Sequence, residues 1–217
     1  ERLAARVCDT SLIAREALAR GENLLLEGAQ GALLDLDGGT YDYVTSSVPS
    51  STAAGAAIGM GIGPADITRV VGVYKAYMTR VGNGPMPTEL EDESGQILRL
   101  QGPRPEIGTT TGRPRRTGWF DAVASRYSAA LNSVTSVALT RLDVLDPFPS
   151  ILVCTSYKID GKEVTTPPAS LADFERAVPQ FEELPGWQAD STQARRFEDL
   201  PPNAQRYVHR IGELIGR

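Results

Sequence analysis

"GTTTGRPRRTGWFDAVASRYSAALNSVTSVALTRLDVLD", residues 108–146, carries the alternation that decides the fold class. It opens on a loop in which Gly108 and Gly112 flank three threonines, with Arg113, Arg115 and Arg116 close behind. The spacing then predicts a helix capped by Thr117, with Trp119, Phe120, Val123, Tyr127 and Leu131 as its apolar face. "SVALTRLDVLD" (136–146) follows as a buried strand with a polar exit. Loop, helix, strand and loop in that order point to an α/β protein.

The flanking sequence continues the pattern. Downstream, "ILVCTSYKIDGKEVTT" (151–166) reads as a hairpin turned at Asp160 and Gly161, and 203–215 as an amphipathic helix. Upstream, "TRVVGVYKAYM" (68–78) is rich in β-branched and aromatic residues and predicts one long strand. "RVGNGPMPTE" (80–89) is a Gly/Pro loop, and "SSTAAGAAIGMGIGP" (50–64) a tightly packed helix of small residues. "NLLLEGAQG" (23–31) predicts a short buried strand over 24–27 that runs into a glycine-bracketed turn, and 1–20 a helix stopped by Gly21. No internal repeat or low-complexity linker interrupts the chain. The expectation is one α/β domain over residues 1–217, a mixed sheet with flanking helices.

Composition narrows the function classes. The 217 residues are 41% hydrophobic and 23% charged, as in a soluble globular protein. A net charge of -5 argues against general nucleic-acid binding, which needs a basic face. No run of about 18 apolar residues suggests a membrane span, and "ERLAARVCDT" has no signal-peptide pattern. A cytoplasmic location, with no membrane partner, is expected. Cys8 and Cys154 have no metal-ligand spacing and read as reduced, buried thiols. His209 is the only histidine, which excludes a histidine-built triad or zinc site within this chain and reads as a surface residue. None of Lys75, Lys158 and Lys162 completes a phosphate-binding P-loop, and "GMGIG" (59–63) lacks dinucleotide-fingerprint spacing.

What the 108–119 loop offers is anion chemistry. Its glycines let backbone N–H groups approach a ligand, Thr109, Thr110 and Thr111 add hydroxyls, and the arginines add planar donor forks. Pro114 restricts the backbone between two of those arginines. The alternative is a solvated basic turn whose arginines pair with neighbours such as Glu91, Asp92 and Glu93. Two further places carry similar groups. Gln30, between glycines, offers an amide that both donates to and accepts from a heterocyclic base, and Thr45 lies in a hydroxyl-rich segment. Arg141 and Asp143 end a strand, where an aspartate can accept two adjacent N–H groups of a guanine or simply cap a turn.

The segments "EGAQGALLDLDGGTYDYVTSS" (27–47), "KAYMTRVGNGPMPTEL" (75–90), "GTTTGRPRRTGWFDAVA" (108–124), "LTRLDVLD" (139–146) and "ELPGW" (183–187) resemble, in this order, the adenylosuccinate synthetase family. The resemblance implies part of a P-loop-NTPase-like fold and a GTP-dependent ligation of L-aspartate to inosine monophosphate (IMP) through 6-phosphoryl-IMP. It implies that Thr109, Thr110, Thr111, Gly112, Arg113, Pro114 and Arg115 form a loop over L-aspartate. It implies IMP contacts at Gln30, Thr45 and Arg113, and GTP contacts at Arg115, Arg141, Leu142 and Asp143. Mg2+ and the catalytic residues are expected in a preceding segment bearing a phosphate loop and a histidine. The family's homodimer is the expected assembly. The chain corresponds to an interior-to-C-terminal part of the family pattern, so by itself it is expected to be inactive. Gly38 stands where the family often has His, Asp42 where it often has Pro, and "VPSS" (48–51) looks expanded. Arg141 replaces the commoner Lys, which keeps the charge and changes the donor geometry.

Overall fold

The computed structural model describes residues 3–49, 57–108 and 112–217. Its contacts gather into two compact units, one of residues 1–70 with 131–133, the other of residues 71–130 with 134–217.

In the first unit, helix α1 spans Thr10–Ala19, later than the helix expected over 1–20. Asp9 explains the late start, because its carboxylate accepts from Leu12 N at 2.9 Å and caps the helix there. Gly21, at φ 75°, supplies the stop. Ala14 packs with Ala57 and Ile62, and Leu18, Leu26, Met60 and Ile67 lean on them. Of the small-residue segment expected as a helix over 50–64, helix α2 covers Ala57–Met60 and stops at Gly61, which adopts φ 70°; residues 50–56 lie outside the described residues. The strand expected over 24–27 does not form. A strand needs a neighbour for its N–H and C=O groups, and no described strand pairs with this stretch, where Leu25 is 93% exposed. Cys8 is exposed, contrary to its expected burial, because it precedes α1 and shares none of that helix's inner face.

The second unit carries the sheets. The strand expected over 68–78 is two strands, β1 (Val71–Lys75) and β2 (Met78–Arg80). The intervening pair has other commitments: Ala76 N donates to Thr140 O at 2.8 Å, and buried Tyr77 turns its hydroxyl to Glu106. Helix α3 (Glu93–Leu100) is capped by Asp92, whose side chain accepts from Gly95 N. Next come β3 (Arg116–Gly118), β4 (Phe120–Asp121) and helix α4 (Ala122–Leu131). Thr117 therefore does not open a helix. It lies buried in β3 and donates its hydroxyl to Gly95 O at 2.7 Å, while Asp121 caps α4 by accepting from Ala124 N at 3.0 Å. Trp119, Phe120 and Val123 are buried as expected, but Leu131 is 42% exposed. Gly118 is required where it stands, since a Cβ there would lie 2.1 Å from Thr88 O.

Strand β5 (Ser136–Thr140) pairs in parallel with β1, from Val71 opposite Ser136 to Lys75 opposite Thr140. Strand β2 pairs antiparallel with β3. The third sheet centres on β6 (Ser150–Ile159), which turns through Asp160 and Gly161 into β7 (Lys162–Val164). Both turn residues have positive φ, 49° and 82°, as an Asp-Gly hairpin turn requires. Helix α5 (Leu171–Glu175) leads to β8 (Val178–Pro185), which runs antiparallel along β6 with a bulge between Cys154 and Ser156. Helix α6 (Pro202–Ile215) follows, close to its expected bounds, and buries Ala204, Tyr207, Ile211 and Ile215 at helical spacing. His209 is exposed on it, edge-on to Phe197 at 5.0 Å. Among the described residues, no helix is long and apolar enough to cross a membrane.

Val123, Cys154, Tyr157, Ile159, Phe174 and Ala177 form a core between α4, β6 and α5. Burial pushes the Cys154 thiol far up, which makes it inert as a nucleophile. Burial likewise raises the pKa of the Asp121 carboxyl, against the donation from the Tyr157 hydroxyl at 2.5 Å. Tyr157→Phe removes that donor and leaves a buried carboxyl less satisfied. It is expected to cost about 1–3 kcal/mol of stability, read as a fall in thermal midpoint of roughly 2–4 °C per kcal/mol.

Candidate functional site

The first unit brings together two of the sequence-derived candidates. Gln30 adopts φ 68°, and its side-chain amide donates to Thr45 Oγ1 at 3.1 Å. Ser47 Oγ donates to Gln30 Oε1 at 2.9 Å, so both ends of the amide are held. Buried Asp35 shapes the loop that presents Thr45 and Ser47. Its Oδ1 accepts from the N–H groups of Asp37 and Gly38 at 2.9 and 2.8 Å, and Thr45 N donates to Leu34 O. Ser47 carries no motif of its own, and its neighbours in "VTSS" were the one signal available.

In the second unit, the described ends of the 106–115 segment are bonded to each other. Gly108 N donates to Arg113 O, Gly112 N to Gly108 O, and Arg115 N to Glu106 O. Gly112 sits at φ 64°, where a side chain would be strained. Thr109, Thr110 and Thr111 lie outside the described residues. Gly112, Arg113 and Pro114 are exposed at the loop's edge.

The other two arginines have separate partners. Arg116 makes a two-pronged pair with Glu89 and also donates to Gly82 O and Gly84 O at 3.2 and 2.7 Å. It staples the Gly/Pro loop to β3. Arg115 Nη1 donates to Glu106 Oε2 at 2.7 Å. Glu91, Asp92 and Glu93, the acidic neighbours named in the sequence, do not take these arginines; Glu89 and Glu106 do.

Glu106 gathers more than Arg115. Its side chain is 2% exposed, and its Oε1 accepts from Lys75 Nζ and from the Tyr77 hydroxyl, each at 2.7 Å. Arg141 Nη1 lies 3.9 Å from the same oxygen. Lys75 ends β1 and Arg141 follows β5, so the two cations stand side by side at the carboxyl ends of neighbouring parallel strands, where α/β sheets receive ligands. Three cationic side chains face one carboxylate, which leaves a formal excess of positive charge. Burial alone would raise the pKa of Glu106. The donations from Lys75 and Tyr77, the charge of Lys75 and the donation from Arg115 outweigh it, and the net shift is downward. Lys75 is lowered by burial, with Glu106 opposing. Sequence reading missed Lys75, Tyr77 and Glu106 as site residues. Lys75 lay inside the strand predicted over 68–78 rather than at its end, and nothing distinguished Glu106 from other loop acids.

Asp143 borders a cleft of about 540 Å³ whose lining includes Gly102, Asp146, Gln188 and Asp190. Arg141 has φ 62° and donates from Nη1 to Arg104 O at 2.8 Å and from Nη2 to Gln101 O at 3.2 Å. This fork fixes the 101–104 loop against Asp143 so closely that a Cβ on Gly102 would lie 2.9 Å from Asp143 Oδ2. Leu142 begins the 3-10 turn Leu142–Leu145 that carries Asp143. On the other side, Asp146 accepts from Trp187 Nε1 at 2.6 Å and Ser191 N at 2.8 Å, which anchors the opposite rim. Among the described residues, no three His, Cys, Asp or Glu gather as a metal centre.

Cationic side chains and a carboxylate at the carboxyl ends of parallel strands define a class: an α/β chain with its charged groups gathered at its strand ends. A family model described as adenylosuccinate synthetase matches residues 1–217. The chain belongs to the adenylosuccinate synthetase family. It is 56% identical over 216 residues to an adenylosuccinate synthetase of Thermomicrobium roseum, covering 100% of this chain and 49% of that protein. It is 55% identical over 216 residues to one of Saccharopolyspora erythraea, again covering 100% of this chain and 50% of the relative. The solved structure of a fully ligated adenylosuccinate synthetase from Plasmodium falciparum superposes with a TM-score of 0.93 at 39% identity, over 99% of this chain and 50% of that one. A cyanophage S-2L succinoaminodeoxyadenylate synthetase, bound to dGMP with dATP as energy donor, matches 62% of this chain and 40% of its own length with a TM-score of 0.51 at 30% identity. The chain thus spans about half the length of the curated relatives it matches.

Two outcomes follow from this geometry. The pKa of Glu106 is lowered on folding, so its contribution to stability is complete above the ordinary glutamate range and is lost as pH falls through the lowered value. Urea midpoints measured between about pH 3 and 7 are expected to fall at the acid end, and Glu106→Gln to flatten that limb. Arg141→Lys keeps the charge but offers no planar fork for both carbonyls. Backbone amide exchange across 101–104 is expected to quicken roughly threefold or more.

Proposed function

We propose that this chain supplies much of the substrate-binding surface of a GTP-dependent ligase that joins L-aspartate to IMP. In this reading the 109–115 loop holds the aspartate carboxylates through Thr109, Thr110, Thr111 and Arg113. Gln30 reads the hypoxanthine base, Thr45 holds the 5′-phosphate, and Arg113 faces both IMP and aspartate. Arg115 faces GTP, with Arg141, Leu142 and Asp143 at its base. The observation that carries the reading is the convergence of Arg115, Arg141 and Asp143 about the ends of β1 and β5, in a chain matched from end to end by one family.

The reaction runs in two displacements. As the N1 proton of IMP passes to a base, its 6-oxygen attacks the γ-phosphorus of GTP and the bond from that phosphorus to the β,γ-bridging oxygen breaks, which gives 6-phosphoryl-IMP and GDP. The aspartate amine then attacks C6, the C–O bond breaks, phosphate leaves, and the amine proton passes to a base. Negative charge develops on the transferring phosphoryl group and again on the departing phosphate, and fixed guanidiniums beside it stabilise both. A divalent cation, when bound, would neutralise phosphate charge. The described residues present no cluster to hold it, and no step above is routed through it. The active assembly in this reading is a homodimer.

The polypeptide as its gene encodes it, supplied with GTP, IMP, L-aspartate and Mg2+, is expected to form adenylosuccinate, followed by its absorbance, while this 217-residue chain assayed alone is expected to be inactive. Arg113→Ala is expected to raise KM for aspartate by about tenfold or more, and KM for GTP far less. Activity only with dGMP and dATP in place of IMP and GTP, or an equal loss toward every substrate in the variant, would contradict the assignment.

A further inference from the structure

Glu106 belongs to no motif that marks the candidate site, yet it is the acid on which that site's cations converge. Among the described residues it is the one carboxylate within ion-pair distance of Lys75, Arg115 and Arg141. Its oxygens are divided: Oε1 takes Lys75 and the Tyr77 hydroxyl, and Oε2 takes Arg115. The partners arrive from separate places: the end of β1, the break before β2, the approach to β3 and the exit of β5. Arg115 and Arg141 keep 28% and 22% of their side chains exposed, whereas Glu106 keeps 2%. The guanidiniums reach toward the surface, and the carboxylate sits beneath them. Their Nε atoms are buried and make no hydrogen bond, so at Arg115 it is the Nη1 contact with Glu106 that sets the direction of the head.

We propose that Glu106 is a positioning residue for the phosphoryl donor. It orients Arg115 directly and holds Arg141 and Lys75 beside it against their mutual repulsion, so that the cationic edge meets the nucleotide already assembled. It touches no substrate and acts through the arginines. This inference rests on the reading above that Arg115 and Arg141 face GTP. A carboxylate that only tied the 101–106 loop to β1 would matter equally for every substrate. One that aims Arg115 matters for GTP first.

The test is a double-mutant cycle in the full-length enzyme with Glu106→Gln, Arg115→Ala and the pair together, reading KM and kcat for each substrate. Glu106→Gln keeps size and removes charge. It is expected to raise KM for GTP about tenfold or more, with KM for IMP and aspartate moving less than about threefold. The double variant is expected to fall well short of the product of the two single changes in KM for GTP, because the part of the Glu106 effect that runs through Arg115 is already lost. Glu106→Asp, which retains the charge one methylene short, is expected to show the same GTP-selective change at smaller size, and it carries the test if the glutamine variant does not fold. Multiplying effects in the double variant, equal losses for all three substrates, or no change would overturn the proposal while leaving the ligase reading intact. A wild-type enzyme that forms no adenylosuccinate would overturn both.

Discussion

A carboxylate taken out of water is costly unless it is surrounded by donors and opposite charge, and Glu106 pays for its burial with four partners. Lys75, Tyr77 and Arg115 donate to it, and Arg141 stands at 3.9 Å. Each partner lies where the chain changes element. Tyr77 is one of the two residues that end β1 before β2 begins, and Arg115 immediately precedes β3. Arg141 occupies the left-handed position that turns β5 into the next segment. The ionic contact and the topology therefore depend on one another. Releasing the carboxylate would leave like charges crowded at the ends of two parallel strands, with no short covalent path between those strands to hold them together.

The run "RPRR" (113–116) shows how a strand divides labour among identical residues. Successive side chains on extended backbone point to opposite sides, and the bridge between Ile107 and Pro114 marks where the segment becomes extended. Arg115 then faces Glu106, and Arg116, one position on, faces Glu89 and the carbonyls of Gly82 and Gly84. Arg113 precedes the extended segment and lies exposed beside Gly112. Three guanidiniums that read as one cradle in the sequence are one exposed group, one oriented group and one structural staple. Spacing alone makes the three guanidiniums look equivalent, and contacts with Glu106 and Glu89 tell Arg115 and Arg116 apart.

The same contrast separates what was legible in the sequence from what was not. The Asp160–Gly161 hairpin and α6 were readable because their signals are local: two positive-φ turn residues and an apolar stripe at helical spacing. The buried strand expected over 136–146 was legible only in part, because β5 stops at Thr140, where Arg141 turns left-handed into the 3-10 turn Leu142–Leu145, and its residues are half-buried. The start of α4 was not, because Thr117 is as good a cap as Asp121 by residue type, and only the buried contact of its hydroxyl with Gly95 O removes it from that role. The split of the 68–78 segment followed from partners on distant segments, which periodicity cannot register. For the candidate site, Gln30, Thr45, Arg141 and Asp143 stood out by residue type and by position after predicted strands or beside glycines. Glu106 did not, because a single acid between Pro105 and Ile107 has no periodic or motif context. Its significance is a property of convergence in space.

The cleft beside Asp143 shows what such convergence achieves. Its floor is the turn Leu142–Leu145, anchored by the buried side chains of Val144 and Leu145. One wall is the 101–104 loop, held by both terminal nitrogens of Arg141, and the opposite rim is tied through Asp146 to Trp187 and Ser191. An ammonium in place of the guanidinium would preserve charge without matching two carbonyls in one plane, so the arginine does structural work that a lysine in its place does not duplicate. Gly102 permits the close approach because a Cβ there would crowd Asp143 Oδ2 and Arg141 Nη2 together. A cleft whose floor and rims are fixed before a ligand arrives loses less conformational entropy on binding. Here that rigidity comes from one guanidinium fork and one carboxylate, and both belong to the segments that also present the charged groups of the site.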